Sequence, residues 1–320
     1  MWTDRTSSEL DRVERLSHSG LVPPPPGWAM EYTQLTPAAG QGECRDINLP
    51  GLLLRSSSFE TRLSMSGCGE RERHIFVFLS NLRGEGKLNG KRLDEGLVAV
   101  CGAQPFEVVS PPMDMVGMTI ARDLLDGYLE NAEGLVAPGW MDDGVHFVGN
   151  SEATRRAGRM IKALMTSYYD DPFATGEGEG RQALAFSVLD ILVPILIDVE
   201  AERDHHLSNR YQIVRRTREY ILDRIDEPLQ ISEICRELGV SRRALQYSFQ
   251  DVLGLNPVAF LRILRLNRAR RDLVRTERSL QVKDVIDRWG FWHPSRFSCE
   301  YKQMFEELPS ETLRRCRAAA

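Results

Sequence analysis

The segment ELGVSRRALQYSFQDVLG (Glu237–Gly254) combines an apolar stripe with a polar, arginine-rich front edge. Leu245, Phe249 and Leu253 recur at every fourth residue, which places them on one face of a helix. Ser241 is a favourable N-cap, so the helix is predicted to begin directly after it. A single arginine-rich helix face is usually only solvated, so the meaning of this one depends on the rest of the chain.

An internal repeat shows that the segment has a counterpart. Four positions recur 51 residues later, and after one inserted residue six more recur 52 residues later. The matched pairs run from Ile231 and Val282 at the start to Arg262 and Arg314 at the end. Each unit consists of a short helix, a glycine at the turn and a longer second helix, which is the pattern of a helix-turn-helix. The C-terminal third is therefore predicted to be an all-α domain with two such units.

The second helix of each unit has a front face that the core does not use. An α-helix fits the major groove of DNA, where Arg and Gln match guanine and adenine edges. The predicted base-contacting residues are Arg242, Arg243, Gln246, Tyr247, Ser295, Arg296 and Cys299. The predicted phosphate-contacting residues are Ser241, Arg262, Arg265, His293 and Lys302. The second helix of each unit is called a reader below. The long helix between the units, Pro257–Arg275, would hold the two readers in adjacent major-groove segments, about 34 Å apart.

The distribution of charge predicts an anionic partner for this domain. The whole chain has a formal net charge of -5, but residues 208–320 hold 22 basic and 15 acidic residues. Residues 1–207 hold the other 19 basic and 31 acidic residues and are strongly acidic. Of the 22 basic residues, 20 are arginine, the side chain that suits bidentate recognition of phosphate and guanine. Double-stranded DNA is the expected partner.

The acidic part of the chain has a different pattern. Residues 1–27 are charged and end in PPPPG, which predicts a flexible arm with a stiff spacer. From Trp28 to about Ile120, short apolar segments alternate with Gly, Pro and Asn turns, and Asn89-Gly90 is a hairpin signal. This pattern predicts a small β-sandwich or barrel.

Two helices are predicted after the strands, one from about residue 152 and one in the apolar stretch Ala183–Val199. Asp190 and Pro194 interrupt that stretch, which favours a buried helix over a membrane span. The two helices form either a dimer surface or a layer packed on the sheet. The expected fold is α+β with two domains. A small β-barrel, cupin-like and followed by two helices, occupies residues 28–207, and the double helix-turn-helix occupies 208–320.

Cysteine usage and the N-terminal residues indicate a cytoplasmic protein. The chain has six cysteines without a Cys-x-x-Cys spacing and is too long to need disulfides for stability. The first residues, MWTDRTSSELDRVERL, are charged throughout, unlike a signal peptide. We therefore expect a reduced, cytoplasmic protein with no membrane partner.

An enzyme is the main alternative for the N-terminal domain, because metal-dependent oxygenases and isomerases also use small β-barrels. A metal barrel needs several converging His and carboxylate ligands, and His74 is the only histidine between Trp28 and Ile120. The sequence contains no H-x-H, H-E-x-x-H or G-x-S-x-G motif. The prediction is a protein without catalytic residues, metal or cofactor.

A ligand pocket in the β domain is predicted from aromatic side chains in the strand segments, with an arginine and a histidine nearby. The candidate residues are Trp28, Tyr32, Arg55, His74, Phe76 and Phe78. A packed core is the alternative role for each of them.

The C-terminal pattern resembles the AraC/XylS family of bacterial transcription regulators. The resemblance is carried by ISEICRELGVSRRALQYSFQDVLGLNPVAFLRILRLNRAR and by VKDVIDRWGFWHPSRFSCEYKQMFEELPSETLRR. It implies base contacts from Arg243, Gln246, Tyr247, Ser295, Arg296 and Cys299. Tyr247 and Cys299 stand where the family often has Arg, so the DNA sequence read is expected to be particular to this protein. Glu306-Glu307 replaces a segment that commonly contains Gly, so the local turn is expected to differ.

The N-terminal segments GWAMEYTQLTPA and NLPGLLL resemble regulators of ethanolamine and amine use. The family implies a homodimeric activator in which a small molecule, here an amine or a related metabolite, binds the β domain. Binding would change how the two readers engage a promoter and RNA polymerase. Two alternatives stay open: a constitutive DNA-binding protein with a non-sensing N-terminal domain, and a β-barrel enzyme fused to a DNA-binding domain.

Overall fold

A computed structural model describes residues 12–15, 30–38, 42–170, 179–197, 202–203, 209–225, 227, 229–274 and 280–319. Strands occupy the first part of the chain. In chain order they are β1 Arg12–Arg15, β2 Met30–Gln34, β3 Gly42–Leu49, β4 Leu52–Phe59, β5 Leu63–Cys68, β6 Arg73–Ser80, β7 Gly86–Leu88, β8 Lys91–Leu93, β9 Gly96–Cys101, β10 Pro105–Ser110, β11 Met113–Ala121, β12 Gly144–Gly149 and β13 Glu202–Arg203.

The strands form two antiparallel sheets around a shared apolar interior. The larger sheet has the order β1-β3-β4-β11-β6-β9-β12-β13, and the smaller has the order β2-β5-β10-β7-β8. Tyr32 and Met65 of the smaller sheet share a buried cluster with Phe59 and Met113 of the larger one. Because successive side chains of a strand point to opposite faces, one face of each sheet fills this interior.

Part of the predicted arm belongs to the larger sheet. Arg12–Arg15 pairs antiparallel with β3, from Arg12 opposite Asp46 to Arg15 opposite Glu43. This segment is therefore an edge strand, which corrects the prediction of a flexible arm at these four residues. The remainder of residues 1–27 lies outside the described part of the chain.

The Asn89-Gly90 signal produces the predicted hairpin. Asn89 has a φ of 50° and Gly90 a φ of 82°, and Leu88 pairs with Lys91 across the turn. Two successive positive φ values suit the twist of the flanking strands. The Oδ1 of Asn89 accepts a hydrogen bond from the backbone N–H of Glu107 at 2.9 Å, which ties the hairpin to β10.

Helices cover the outer face of the larger sheet. The helix α1 (Arg122–Tyr128) follows the last central strand, and α2 (Glu152–Asp170) and α3 (Glu179–Ile197) pack over Phe76 and Phe78 in one buried cluster. Within the described residues, α3 is the one helix whose length and hydropathy would suffice to cross a membrane. Its residues Val188 and Leu192 are fully buried against the sheet. The apolar stretch is thus a core helix, as predicted.

The C-terminal domain is all-α. Its helices are α4 Asn209–Asp223, α5 Ile231–Leu238, α6 Arg242–Leu253, α7 Pro257–Val274, α8 Val282–Arg288, α9 Pro294–Phe305 and α10 Pro309–Ala319. The pairs α5–α6 and α8–α9 are the two predicted helix-turn-helix units, and one buried cluster runs through all seven helices. The predicted two-domain α+β layout is confirmed.

The turns of the two units use the left-handed conformation that favours glycine. Gly239 has a φ of 65° and Gly290 a φ of 66° at the turns between the paired helices. After α6, Gly254 ends the helix with a φ of 69°. The corresponding residue after α9 is Glu306, which adopts the same conformation with a φ of 61°. The turn at Glu306 is therefore the same as at Gly254, contrary to the prediction, and an L side chain accepts a strained backbone there.

The two domains share a polar interface built on β2. Glu31 pairs with Arg268 of α7 at 2.5 Å, and the Arg218 guanidinium of α4 lies 3.2 Å from the Glu107 carboxylate. Arg218 and Glu107 are both buried. Asn267 of α7 also hydrogen-bonds the backbone of Gln34 at the end of β2.

Candidate nucleic-acid interface and effector cavity

The first reader, α6, is held by a cap and an apolar underside. The Oγ of Ser241 accepts a hydrogen bond from the backbone N–H of Ala244 at 3.1 Å, as expected for an N-cap. Leu245 and Phe249 are fully buried, so the helix cannot rotate without opening the core. The opposite face is exposed and carries the predicted base contacts Arg242, Arg243, Gln246 and Tyr247.

A contact between two of these side chains shapes that face. The guanidinium of Arg243 lies 5.4 Å from the ring centroid of Tyr247, a cation–π distance. Tyr247 itself is 56% exposed, which is unusual for a large aromatic side chain in a monomer. The pair presents a cation and an aromatic edge side by side on the outer surface of α6.

The second reader, α9, is built in the same way. Pro294 occupies the first helical position, and Phe297 and Tyr301 are buried beneath the helix. The predicted base contacts on this helix, Ser295, Arg296 and Cys299, are exposed. His293 precedes the helix as its N-cap residue without a side-chain capping hydrogen bond. For both readers, contact with DNA remains a prediction.

Glu300 is a residue of the second reader that the sequence did not single out. Its Oε1 accepts a hydrogen bond from the Nε of Arg296 at 3.0 Å, and its Oε2 accepts one from the Nε of Arg262 on α7. An arginine held through Nε keeps its outer nitrogens in a fixed plane. Glu300 therefore fixes the orientation of the Arg296 guanidinium, whose outer nitrogens have the spacing of a bidentate donor. The signal in the sequence is the spacing of four between a basic and an acidic residue on one helix.

Trp292 is a second residue that the sequence analysis missed. It is 85% exposed and stands in the turn just before α9. It borders a groove of about 300 Å³ together with Val258, His293 and Arg296. A tryptophan that is 85% exposed buries little of its apolar surface within the fold, so its place beside a predicted reader makes it a candidate for contact with a partner. The signal in the sequence is the run Trp289-Gly290-Phe291-Trp292, which has more aromatic residues than the packing of one turn requires.

The residues predicted to contact phosphate differ in whether their side chains are already bonded within the protein. Ser241, His293 and Lys302 are exposed, whereas Arg262 is paired with Glu300. Arg265 donates a hydrogen bond from Nη2 to the backbone carbonyl of Glu227 at 2.7 Å. These two arginines of α7 therefore stabilise the domain in addition to any contact with phosphate.

Other arginines of α7 also serve the structure, which modifies the idea that this helix is a phosphate-binding surface. Arg270 is buried, lies 4.4 Å from the ring centroid of Phe305 and pairs with Glu307 at 3.4 Å. Burial lowers the pKa of the Arg270 guanidinium. Arg268 pairs with Glu31 of the β domain, as described above.

A cavity of about 80 Å³ lies between the two sheets of the β domain. Its lining is apolar apart from Tyr32, Arg55 and Thr119, and five methionines contribute to it: Met30, Met65, Met113, Met115 and Met118. Methionine side chains are flexible and repack readily around a guest. The cavity is small for a ligand site, so occupation would require such repacking.

Arg55 supplies a buried cation at the edge of this cavity. Its Nε and Nη2 donate to the two carboxylate oxygens of Asp46 at 2.7 and 2.6 Å, and both side chains are buried. A bidentate pair of this kind balances the desolvation of the two charges. Burial raises the pKa of nearby Tyr32 to about 12, which keeps its hydroxyl protonated and available as a donor.

The structure brings only part of the predicted ligand set to the cavity. Tyr32 and Arg55 line it, whereas His74, Phe76 and Phe78 do not. Alternate residues of β6 point to opposite faces of the sheet, and the residues of β6 that line the cavity are Ile75, Val77 and Leu79. Phe76 and Phe78 pack under α2 and α3 instead, and His74 is buried on the same side of the strand. Trp28 lies outside the described residues.

The described residues contain no group of three or more His, Cys, Asp or Glu side chains that could hold a metal ion. The Cys residues among them are free thiols.

Comparison with known proteins gives a family match in the C-terminal domain and several similar regulatory proteins. A family model described as a helix-turn-helix domain matches residues 234–315. A probable thc operon regulatory protein of Rhodococcus erythropolis is 43% identical over 103 residues, which is 32% of this chain and 31% of that protein. The regulatory protein HrpB of Ralstonia nicotianae is 26% identical over 309 residues, which is 96% of this chain and 58% of that protein. The matches thus span less than two thirds of the length of either relative.

Among solved structures, a probable AraC family transcriptional regulator from Rhodopseudomonas palustris is 32% identical over the aligned residues. The alignment covers 33% of this chain and 97% of that chain, with a TM-score of 0.32.

Proposed function

Because this chain belongs to the AraC/XylS family of transcriptional regulators, a membership carried by its helix-turn-helix domain, we propose that it is a sequence-specific DNA-binding regulator of transcription that responds to a small molecule. The observation that carries this proposal is the pair of exposed polar faces on α6 and α9. One buried core fixes both helices on a single rigid domain.

The two readers divide the work of recognition. Arg243, Gln246 and Arg296 are the side chains best suited to base edges, and each good bidentate contact discriminates by about 1–3 kcal/mol. Arg242, Tyr247, Ser295 and Cys299 complete the two reading faces. Ser241, His293 and Lys302 hold the register through phosphates, with Arg262 and Arg265 behind them.

The effector in this proposal binds the cavity between the sheets. The lining includes the cation Arg55 and no carboxylate, so it favours an apolar molecule with an acceptor oxygen over an amine. Asp46 accepts hydrogen bonds from the Nε and Nη2 of Arg55, and an effector oxygen would share that guanidinium and the Tyr32 hydroxyl.

Strand β2 is the physical link between cavity and readers. Met30 and Tyr32 line the cavity, whereas Glu31 pairs with Arg268 and Gln34 bonds to Asn267 on α7. A guest that displaces the inward side chains of β2 therefore moves the strand that holds the DNA-binding domain. We infer that the effector acts on DNA binding through this strand.

The remaining parts of the proposal follow the family. The protein would act in the cytoplasm as a homodimeric activator that contacts RNA polymerase. The outer face of α3 supports dimerisation, because Phe186 is 39% exposed and Ile197 is 40% exposed on one side of a helix whose other side is buried. No catalytic step is part of the proposed function.

The test is a selection of genomic fragments by the full-length protein, with and without a panel of small apolar acids, esters and amines. We expect enrichment of repeated half-sites and a ligand-dependent change in affinity. Arg243→Ala and Arg296→Ala should each cost about 1–3 kcal/mol at one base position, whereas Arg156→Ala on the exposed face of α2 should change nothing. A protein that enriches no sequence under any condition would contradict the proposal. Enrichment that no compound alters would instead support a constitutive DNA-binding protein.

A further inference from the structure

A cleft of about 750 Å³ separates the β domain from the C-terminal half of α6. Tyr247, Gln250 and Gly254 form the wall contributed by the helix-turn-helix domain. Arg62 and Arg83 stand on the wall contributed by the β domain. A predicted reader of DNA and a pair of arginines from the other domain thus share one opening.

The cleft is basic within an acidic part of the chain. Its lining holds four cations, Arg62, Arg83, Lys87 and Arg210, and two anions, Glu85 and Asp251. The part of the lining that comes from residues 1–207 holds three of these cations, Arg62, Arg83 and Lys87, and one anion, Glu85. Residues 1–207 as a whole carry 19 basic and 31 acidic residues, so this local surplus of cations runs against the composition of the β domain. A local surplus of positive charge beside a reader helix is the footprint expected of a nucleic-acid contact.

Of the four cations that line the cleft, Arg62 has the least compensation of its charge by hydrogen bonds or nearby acids. Its Nε is buried and has no hydrogen-bond partner among the described residues. Burial lowers the pKa of its guanidinium, and Glu85 is the nearby acid that opposes this shift. A partly desolvated cation without a bonded anion gains more from an incoming phosphate than a solvated one does.

The two walls are held together at one end of the cleft. The Nζ of Lys87 donates a hydrogen bond to the backbone carbonyl of Asp251 at 2.5 Å and lies 3.4 Å from its carboxylate. Arg210 lies 3.6 Å from the same carboxylate. Lys87 belongs to the hairpin strand β7, so the contact sets the position of the β domain relative to α6.

The reading face of α6 leads directly into this cleft. Arg243, Tyr247, Gln250 and Gly254 follow one another at spacings of four, three and four along one side of the helix. With α6 in the major groove, the strand that borders the groove passes the C-terminal end of this face. Its phosphates would then come to the mouth of the cleft, opposite Arg62 and Arg83.

We propose that the β domain is part of the DNA interface and binds the phosphodiester backbone beside the first half-site through Arg62 and Arg83, with Arg210 of α4 at the margin of the cleft. This inference rests on the proposed function and extends it, because the N-terminal domain then contributes directly to affinity. The exposed Arg83 donates to the backbone carbonyl of Phe59 at 3.1 Å through Nη2, which orients its guanidinium at the cleft.

The experiment measures the salt dependence of DNA binding by the full-length protein. Fluorescence anisotropy is recorded with a labelled duplex that carries the enriched half-sites and with a duplex of shuffled sequence. Each phosphate contact contributes about 0.9 to the slope of log affinity against log salt concentration, so the double variant Arg62→Gln/Arg83→Gln should lose about 1.8 from the slope. The loss should be the same on both duplexes, because phosphate contacts carry no sequence information.

Two further variants serve as a control and as a second test. Arg156→Gln on α2 removes one exposed cation far from α6 and should leave the slope unchanged. Arg83→Glu changes an exposed side chain and removes the same single hydrogen bond to the Phe59 carbonyl as Arg83→Gln does, and it should weaken DNA binding more than Arg83→Gln. Circular dichroism confirms the fold of each variant.

Other outcomes overturn the inference. An unchanged slope in the double variant means that the β domain does not touch phosphate. A gain in affinity means that the β domain obstructs DNA instead of binding it. If the unaltered protein binds neither duplex, the proposed function itself fails. This outcome differs from failure of the further inference, because it is seen without any substitution.

Discussion

Asn267 on α7 bonds both main-chain groups of Gln34 at the end of β2. Its Oδ1 accepts from the Gln34 N–H at 3.0 Å, and its Nδ2 donates to the Gln34 carbonyl at 3.1 Å. The side-chain amide thus acts like one residue of a neighbouring strand. Since β2 is an edge strand of the smaller sheet, the helix satisfies backbone groups that would otherwise be open.

The first prediction concerns this link. Asn267→Ala should leave the Gln34 N–H and carbonyl without their partner, at a cost of about 1–3 kcal/mol. Amide hydrogen exchange should increase in β2, and the effector should lose its influence on DNA affinity while affinity without effector is kept. Asn131→Ala, which removes an exposed hydrogen bond to Gly127, is the matched control. Unchanged exchange in β2 would show that the link does not hold the domains.

The second prediction concerns the strained cap at Glu306. Glu306→Gly should stabilise the protein by about 1 kcal/mol, because glycine adopts a φ of 61° without a steric penalty. Thermal unfolding measures the gain. Glu306→Ala keeps the strain and removes only the side chain, so it should give no gain. A reciprocal loss is expected for Gly254→Ala, whose φ is 69° and whose new Cβ would lie 3.0 Å from the Nη1 of Arg62.

The third prediction concerns the orientation of Arg296. Glu300→Gln removes the charge that holds Arg296 and Arg262, so discrimination at the base read by Arg296 should fall by about 1–3 kcal/mol. Total affinity should not fall, since an anion has left the vicinity of the DNA. A binding-site selection measures both. Glu237→Gln on the exposed surface of α5 serves as control, and an unchanged base preference in Glu300→Gln would refute the role of Glu300.

The fourth prediction concerns acid stability. Burial, with a smaller effect of nearby Arg122, lowers the pKa of His74 from 6.5 to about 4, and Asp142 opposes the shift. The unfolded chain therefore binds the proton more tightly than the folded protein, and stability falls as pH drops from 6.5 toward 4. The contribution of His74 between pH 7 and pH 5 should be about 2 kcal/mol.

His74→Phe tests this contribution. The variant should lose less stability between neutral and mildly acidic pH than the unaltered protein, as measured by urea unfolding at each pH. His293→Phe, the same substitution at an exposed histidine, is the matched control. An equal pH dependence in His74→Phe would contradict the assignment.

The sequence predicted the DNA-binding domain well because its signals are local. The repeat that relates Ile231 to Val282, the Ser241 cap and the turn glycine Gly239 each act within a few residues, and together they specify helix-turn-helix units without reference to the rest of the chain. The exposed faces of α6 and α9 followed from the same periodicity.

The sequence was less informative where faces and partners depend on distant strands. An aromatic run such as Phe76 and Phe78 identifies a strand but not which of its faces meets the cavity, because that choice is set by the neighbouring strands and by the helices on the outer side. The conformation of Glu306 was also missed, since the tertiary context of α9 and α10 imposes a backbone that glutamate does not favour.

The sequence by itself determined that this protein has two helix-turn-helix units on a basic C-terminal domain behind an acidic, strand-rich one. Only the tertiary structure decided which arginines face outward. Arg268 and Arg270 of α7 are bound to acids within the protein, whereas Arg62, from a region with no sign of DNA binding, stands beside the first reader. The reason is physical: helical periodicity is a short-range property, but the pairing of charges depends on which surfaces the folded chain brings within a few ångströms of each other.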